Sequence, residues 1–196
     1  DVAARSLRTE YVTGSYFTTF GIGAFGGRVF TADDDTPASP PVVVISHHSW
    51  EAIYGGDQSL VGQTLVIEGH PFTVAGVAPP GFFGDTLRNN PPDLWIPIQH
   101  EPMVTGANSL LRQPVSAWLR VIGRLKPGAT TDGIAPRLTN VLRQWIPRDS
   151  GWPANWLSDV DRLLPKQTIA IVPAGAGVGA MKEQYASSLQ LLMAVC

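Results

Sequence analysis

The sequence is poor in the features that mark several large classes of protein. It has one cysteine, Cys196, among 196 residues, which excludes an intramolecular disulfide and a metal site built on several cysteines. Charged residues make up 15%, with 14 Lys and Arg against 16 Asp and Glu, and no basic cluster interrupts the chain. Nucleic-acid binding is not predicted, because a phosphate backbone requires such a cluster. No apolar run reaches the ~20 residues that a membrane-spanning helix needs.

Motifs for metal binding and catalysis are also missing. The four histidines, His47, His48, His70 and His100, have none of the spacings of helical zinc sites, and we interpret His47 and His48 as a surface pair where a helix begins. Asp33–Asp35 lacks the alternating ligands and the sharp glycine turn of a calcium loop, so we predict an acidic, solvated loop. Nucleophile motifs such as G-x-S-x-G are not found. We therefore predict no catalytic residue, no metal and no cofactor.

One glycine-rich loop has the form of a nucleotide-binding motif. Gly175–Ala180 reads GAGVGA and matches the relaxed G-x-G-x-x-A pattern that brings backbone close to a pyrophosphate. A dinucleotide fold also needs a second strand and an acidic ribose partner about 20 residues further on, and the sequence that follows supplies neither. We interpret the loop as a hinge, with a nucleotide-dependent enzyme as the least favoured alternative.

What is abundant is glycine and proline, 20 and 17 residues, which require many turns and short elements. The two outer segments share one element order. Residues 1–30 predict a strand, a short helix capped by Ser15 and a second extended piece. Residues 112–196 predict a strand over 118–125, an amphipathic helix and a buried strand over 168–172, followed by a further helix. The apolar stripe of the amphipathic helix consists of Ile134, Leu138, Val141, Leu142 and Trp145.

The middle segment, residues 31–111, has strands of its own. Val42–Ile45 is a β-branched run typical of a buried strand, and Ser46 caps a helix that ends at Gly55. The arms of a hairpin are predicted at 64–67 and 72–77, and a strand at 93–98, where Pro97 must lie at an edge or an end.

We therefore predict an α+β fold in which residues 1–30 and 112–196 form a discontinuous split βαβ layer of the ferredoxin-like type. Residues 31–111 are predicted to form an inserted small, β-rich α/β subdomain. Residues 185–196 are strongly apolar, which favours an excised domain that ends where a membrane helix starts. The alternative, a terminal helix docked on its own core, is left open.

The aromatic residues divide into two predicted groups. Core packing is expected for the four tryptophans on regular elements, which are Trp50, Trp95, Trp118 and Trp145. An exposed contact is predicted for Trp152 and Trp156, which lie on a loop, and for Phe82 and Phe83. These four residues support an alternative function, a module that binds an apolar substrate or a peptide.

Several stretches, read in order, resemble the extracytoplasmic core domain of MacB-type ABC transporter permeases. They are VTGSYFTTFGI, GGRVFTADDD, VVVISHHSWEAIYGGDQSLVGQTLVIEGHPFTVAGVAPPGF, DLWIPI and GRLKPGAT, and they extend over most of residues 11–128. The resemblance implies a periplasmic domain of a bacterial inner-membrane protein, inserted between the first and second membrane helices, with a porter-like βαβ layer interrupted by a smaller insertion. One departure is the hairpin turn, Glu68-Gly69; because Glu tolerates positive φ poorly, we predict a longer turn that includes His70.

The resemblance also implies a function and a set of partners. The domain would be non-catalytic and would transmit conformational change between a cytoplasmic ATPase, fused or separate, and the extracytoplasmic side during export. Its partners would be its own transmembrane helices and a second permease copy, with an adaptor protein as a further candidate. The membrane-proximal coupling helix would include Tyr185, Leu189, Leu192 and Met193.

Overall fold

The computed structural model describes residues 5–86, 88–113, 118–152, 155 and 162–174. These residues form short strands and helices around a mixed sheet, which confirms the predicted α+β class. The contacts divide the chain into two compact units, one containing Asp1–Gly106 and the other formed by Ala107–Pro173. Within the described ranges, no helix is both long enough and apolar enough to cross a membrane.

The first unit is built on a six-stranded sheet. Its strands are β1 (Thr9–Val12), β2 (Gly26–Gly27), β3 (Val42–Ile45), β4 (Thr64–Ile67), β5 (His70–Val77) and β6 (Leu94–Pro97). The order is β1-β6-β3-β5-β2, with β4 also paired to β5. The β1/β6 and β3/β5 pairs are parallel, and the other pairs are antiparallel. Pro97 is the last residue of β6, which confirms its predicted place at a strand end and lets an inner strand contain proline.

Both faces of this sheet are covered. β3 alternates between them, because successive side chains of a strand point to opposite faces. Val43 and Ile45 lie in one apolar cluster with Phe72 and Leu94, whereas Val42 and Val44 lie in a second cluster. The second cluster also contains Val12, Phe17, Phe30, Ala78 and Trp95. This explains the continuous β-branched run of β3, since a strand buried on both faces has no polar side.

The helices of the first unit are α1 (Tyr16–Phe20), α2 (His47–Tyr54) and α3 (Glu101–Thr105). The boundaries of α2 are as predicted: the Ser46 side chain accepts a hydrogen bond from the Ser49 N–H, and Gly55 ends the helix with φ 64°. α1 begins after Ser15, but the Ser15 side chain makes no capping hydrogen bond to it. Its backbone has helical dihedrals, so its hydroxyl is not placed to cap.

The hairpin between β4 and β5 is confirmed, but its predicted longer turn is wrong. Ile67 pairs with His70, so the turn has only two residues, Glu68 and Gly69. Both have positive φ, 49° and 81°, as a type I′ turn requires. This turn matches the twist of the paired strands, and their pairing holds Glu68 in a conformation that a glutamate rarely adopts.

The second unit contains α4 (Ile134–Asp149), which confirms the amphipathic helix. Pro136 lies in its first turn, where the missing N–H costs no intrahelical hydrogen bond. The segments 118–125 and 168–172 were predicted as strands, but neither has regular secondary structure in the structure. An apolar or alternating segment forms a strand only where a neighbouring strand satisfies its backbone, and no such pairing is described for either segment.

The sheet also bears on the predicted subdomains. β1 pairs with β6 and β2 pairs with β5, so residues 9–12 and 26–27 share a sheet with strands of the middle segment. The sequence pattern instead predicts that residues 1–30 form one layer with residues 112–196. That discontinuous subdomain, with 31–111 as an insertion, stays a prediction, whereas the strand pairing is what the structure shows.

Candidate functional site

In the first unit, aromatic side chains from α1, from β6 and from the loop that follows β5 form a packed cluster. Phe82 lies 5.4 Å from Trp95, 5.7 Å from Phe17 and 6.0 Å from Phe20, measured between ring centroids. It is half-buried and packs against the second apolar cluster. Phe83, the next residue, is 45% exposed. The two neighbours therefore differ in environment: Phe82 packs against other aromatic rings, and the side chain of Phe83 is exposed to solvent.

Polar contacts fix the same loop to the edge of the sheet. Arg88 donates a hydrogen bond to Glu10 Oε1 at 2.9 Å, and the Trp95 indole donates to Glu10 Oε2 at 3.1 Å. Arg8 donates to the Pro91 carbonyl and to Asp93 Oδ1, both at 2.9 Å. Apart from Trp95, which was expected in the core, these residues were not singled out from the sequence. Since Glu10 and Arg88 are 78 positions apart, no local pattern signals the pair.

The aspartate run 33–35 is not the solvated loop that its charge predicts. Asp34 is buried and accepts two hydrogen bonds from Arg28, at 2.6 and 2.7 Å, and two from Thr31. The Arg28 hydrogen bond holds the pKa of Asp34 below its ordinary value. Asp35 accepts from the backbone N–H groups of Gly14 and Gln99. These two carboxylates are occupied in tying the loop to its neighbours.

The histidines occupy separate environments. His100 is buried, with Nε2 3.3 Å from Ser39 Oγ and its ring edge-on to Phe72, and burial lowers the pKa of its imidazole. His47 lies at the start of α2, with Nδ1 3.3 Å from Glu51 Oε2. Among the described residues, no group of three or more His, Cys, Asp or Glu side chains is placed to hold a metal ion.

In the second unit, α4 has two different apolar faces. One face carries Ile146, which is buried with Leu164, and the half-buried Trp152 packs against this pair. The other face is open: Leu138, Val141 and Trp145 are 42%, 61% and 47% exposed. A shallow depression on it is lined by Ile134, Arg137, Leu138 and Val141. Three of the five residues of the predicted apolar stripe are therefore exposed, and one of them is Trp145, which was expected in the core.

The tryptophans and the remaining predicted site residues are placed as follows. Trp50 and Trp95 are buried, as expected for core residues, whereas Trp145 is exposed and Trp118 is half-buried. Five of the residues singled out from the sequence lie outside the described residues, together with the loop at 175–180: Trp156, Tyr185, Leu189, Leu192 and Met193. The roles predicted for them, and the contact role of Trp152, Phe82 and Phe83, stay predictions.

Comparison with known proteins identifies similar domains. The model of the family described as "MacB-like periplasmic core domain" matches residues 2–141. Two similar solved structures are the periplasmic region of MacB from Actinobacillus actinomycetemcomitans and the extracellular domain of the noncanonic ABC-type transporter YknZ from Gram-positive bacteria. No curated protein matches the chain.

The two structural similarities are distant. The MacB region has 21% sequence identity and a TM-score of 0.48, and the match covers 69% of this chain and 55% of that one. The YknZ domain has 20% identity and a TM-score of 0.39, with 51% of this chain and 48% of that one covered. The chain thus spans about half the length of these relatives.

Proposed function

The chain belongs to the family of MacB-like periplasmic core domains, and from this membership we propose that it is the non-catalytic extracytoplasmic domain of an ABC-type transporter permease. The observation that carries the proposal is the family match over residues 2–141, which includes every strand of the sheet. Two buried carboxylates of the first unit are used in hydrogen bonds that hold the fold together. Asp34 and Asp93, both buried, accept hydrogen bonds from neighbouring parts of the fold.

The finer proposal is that the domain transmits conformational change. A cytoplasmic ATPase, fused or separate, would hydrolyse ATP, and the domain would move with its own transmembrane helices and a second permease copy as substrate is exported. A domain that transmits motion must resist deformation, and the sheet of the first unit, buried on both faces by the two clusters around β3, supports that role. The segment with Tyr185, Leu189, Leu192 and Met193 is proposed to connect the domain to the membrane. An adaptor protein is a further candidate partner.

Accessibility labelling tests the location of the domain. In the full-length permease, with Cys196→Ser as background, Asp33→Cys places a thiol on an exposed position and Val74→Cys places one in the core. A membrane-impermeant maleimide added to intact spheroplasts is expected to label the thiol at position 33 and not the one at position 74. Labelling of position 33 only after the membrane has been permeabilised would contradict an extracytoplasmic location.

Distance measurement tests the transmission of motion. Spin labels on Asp33→Cys in the two copies of a reconstituted permease are expected to show a shifted distance distribution when ATP is bound and hydrolysed. An ATPase-deficient permease serves as the control and is expected to show one distribution throughout. A distance distribution that stays the same through the cycle of the active permease would contradict the proposed transmission of conformational change. It would not affect the proposed extracytoplasmic location.

A further inference from the structure

The strand β4 forms an open edge of the sheet in the first unit. It has four residues and pairs on one side with β5. On its other side, none of the strands in the described ranges is paired with it. An open edge is a ready template for another extended strand, because its outward N–H and C=O groups need partners of that shape.

The register of the hairpin shows which backbone groups face outward. Beside a two-residue turn, the flanking pair, here Ile67 and His70, exchanges both hydrogen bonds. The next pair, Val66 and Pro71, is then a non-hydrogen-bonded pair, which fits proline because it has no N–H. The N–H and C=O of Val66 therefore point away from β5, towards the open edge.

The side chains of this edge lack the usual protection against strand pairing. Val66 is 71% exposed, the highest exposure of any large apolar residue in the first unit's described part. The segment 62–67 reads Gly-Gln-Thr-Leu-Val-Ile and contains no charge and no proline. Soluble proteins commonly place lysine or proline on such an edge to prevent pairing.

We propose that β4 pairs antiparallel with β4 of a second copy of this chain, with Val66 at the two-fold axis. In this register the two Val66 residues exchange two backbone hydrogen bonds, and Leu65 lies opposite Ile67 of the partner subunit. Residues opposite each other share a face, so the two exposed valine side chains cover each other while leucine and isoleucine extend the partly buried face. No like charges meet within β4, and the strand is complementary to itself.

The size of the contact sets its strength. Two four-residue strands bury far less than the ~1,200 Å² of a stable interface, so the isolated chains associate weakly and only at high concentration. Where two copies are held in one assembly, their effective concentration is in the millimolar range and the pairing becomes populated. The proposal rests on strand geometry alone, so its failure would leave the proposed function untouched.

Sedimentation equilibrium of the 196-residue chain tests the pairing. Val66→Lys places two like charges opposite each other and is expected to lower the association constant at least about tenfold. Val141→Lys, on the open face of α4 in the second unit, is the matched control and is expected to leave it unchanged. A chain that stays monomeric up to ~1 mM, or association weakened by Val141→Lys and not by Val66→Lys, would overturn the proposal.

Amide hydrogen exchange on the unsubstituted chain gives a second readout that needs no variant. Raising the protein concentration from dilute to about millimolar is expected to slow exchange at Val66 severalfold, because its N–H becomes paired. The Leu65 amide already bonds within the hairpin in this register and should not change. Exchange at Val66 that is independent of concentration would also overturn the proposal.

Discussion

At the scale of single residues, the important polar groups of the first unit act as ties between distant parts of the chain. Asp34 illustrates this role, since one buried carboxylate satisfies the Arg28 guanidinium together with the N–H and hydroxyl of Thr31. In the ion pair between Arg28 and Asp34, the Arg28 side chain is 53% exposed, so solvent screens part of the electrostatic attraction. The stabilisation comes mainly from the hydrogen bonds to the buried carboxylate.

Asp34→Asn is therefore expected to lower the free energy of unfolding by about 2–3 kcal/mol, because the neutral amide loses charge-assisted bonds and offers only one acceptor oxygen. Urea denaturation at pH 7 measures the effect. Asp33→Asn, at the exposed neighbouring position, is the matched control and should change stability by less than about 0.5 kcal/mol. Equal effects of the two substitutions would contradict the assigned role of Asp34.

His100 predicts a pH dependence. Its folded-state pKa lies below the ordinary value of 6.5, because burial disfavours the charged ring despite the nearby Asp34 and Asp35. The unfolded chain therefore binds more protons just below pH 6.5, and stability should fall as the pH drops from about 6.5 towards the lowered folded-state pKa. The loss of stability that follows protonation of Asp34, whose pKa is lowered from 3.8, occurs only at more acidic pH.

Urea denaturation between pH 5 and 7.5 measures this dependence. His100→Gln retains a donor near Ser39 without a titratable group, so its stability should vary less across the window than that of the unsubstituted chain. His48→Gln, at an exposed position, is the control and should keep the original slope. A slope unaffected by His100→Gln would show that other groups cause it.

At the scale of elements, the β4–β5 hairpin shows how pairing overrides a local preference. The strand register fixes a two-residue turn, and Glu68 adopts φ 49° inside it. A left-handed conformation costs a residue with an ordinary side chain roughly 1–2 kcal/mol, and asparagine considerably less. The backbone conformation of Glu68 therefore lowers the stability of the hairpin.

Glu68→Asn is expected to raise the free energy of unfolding by about 0.5–1 kcal/mol, with a corresponding rise in Tm measured by thermal denaturation. Glu68→Ala removes the same charge without relieving the backbone, so it should leave Tm nearly unchanged or lower it. A rise of equal size in both variants would attribute the gain to charge and contradict the backbone explanation.

At the scale of the whole molecule, the two units differ in how much core they contain. All six strands and both large apolar clusters lie within Asp1–Gly106. In Ala107–Pro173, the cluster found among the described residues has two buried members, Ile146 and Leu164. Burial of apolar surface is the main driving force of folding. We therefore expect the first unit to contribute most of the free energy of unfolding that arises from the described residues.

A fragment of residues 1–106 is therefore expected to unfold in one cooperative transition, whereas a fragment of residues 107–173 should show no cooperative unfolding on its own. Circular dichroism during urea denaturation measures both. If the first fragment melts without cooperativity, the sheet depends on parts of the chain beyond Gly106, and the first unit does not hold most of the stability.

The sequence by itself determined the features that depend on neighbouring residues. Periodicity and end signals within a few positions predict four such features: the strand Val42–Ile45, the α2 boundaries at Ser46 and Gly55, the hairpin arms and the α4 helix. The order of short motifs also pointed to the family that the comparison confirmed. These features follow from the sequence because local backbone preferences and side-chain spacing act over one or two turns of chain.

Only the tertiary structure decided which distant segments meet. It paired Thr9 with Leu94, buried Asp34 against Arg28, packed Phe82 beside Trp95, forced Glu68 into a tight turn and left the edge of β4 open. It also left 118–125, predicted from its alternation, and 168–172, predicted as a buried strand, without regular secondary structure. A strand or a buried charge is stable only with its partner, and the free energy of that pairing arises between residues that the sequence separates.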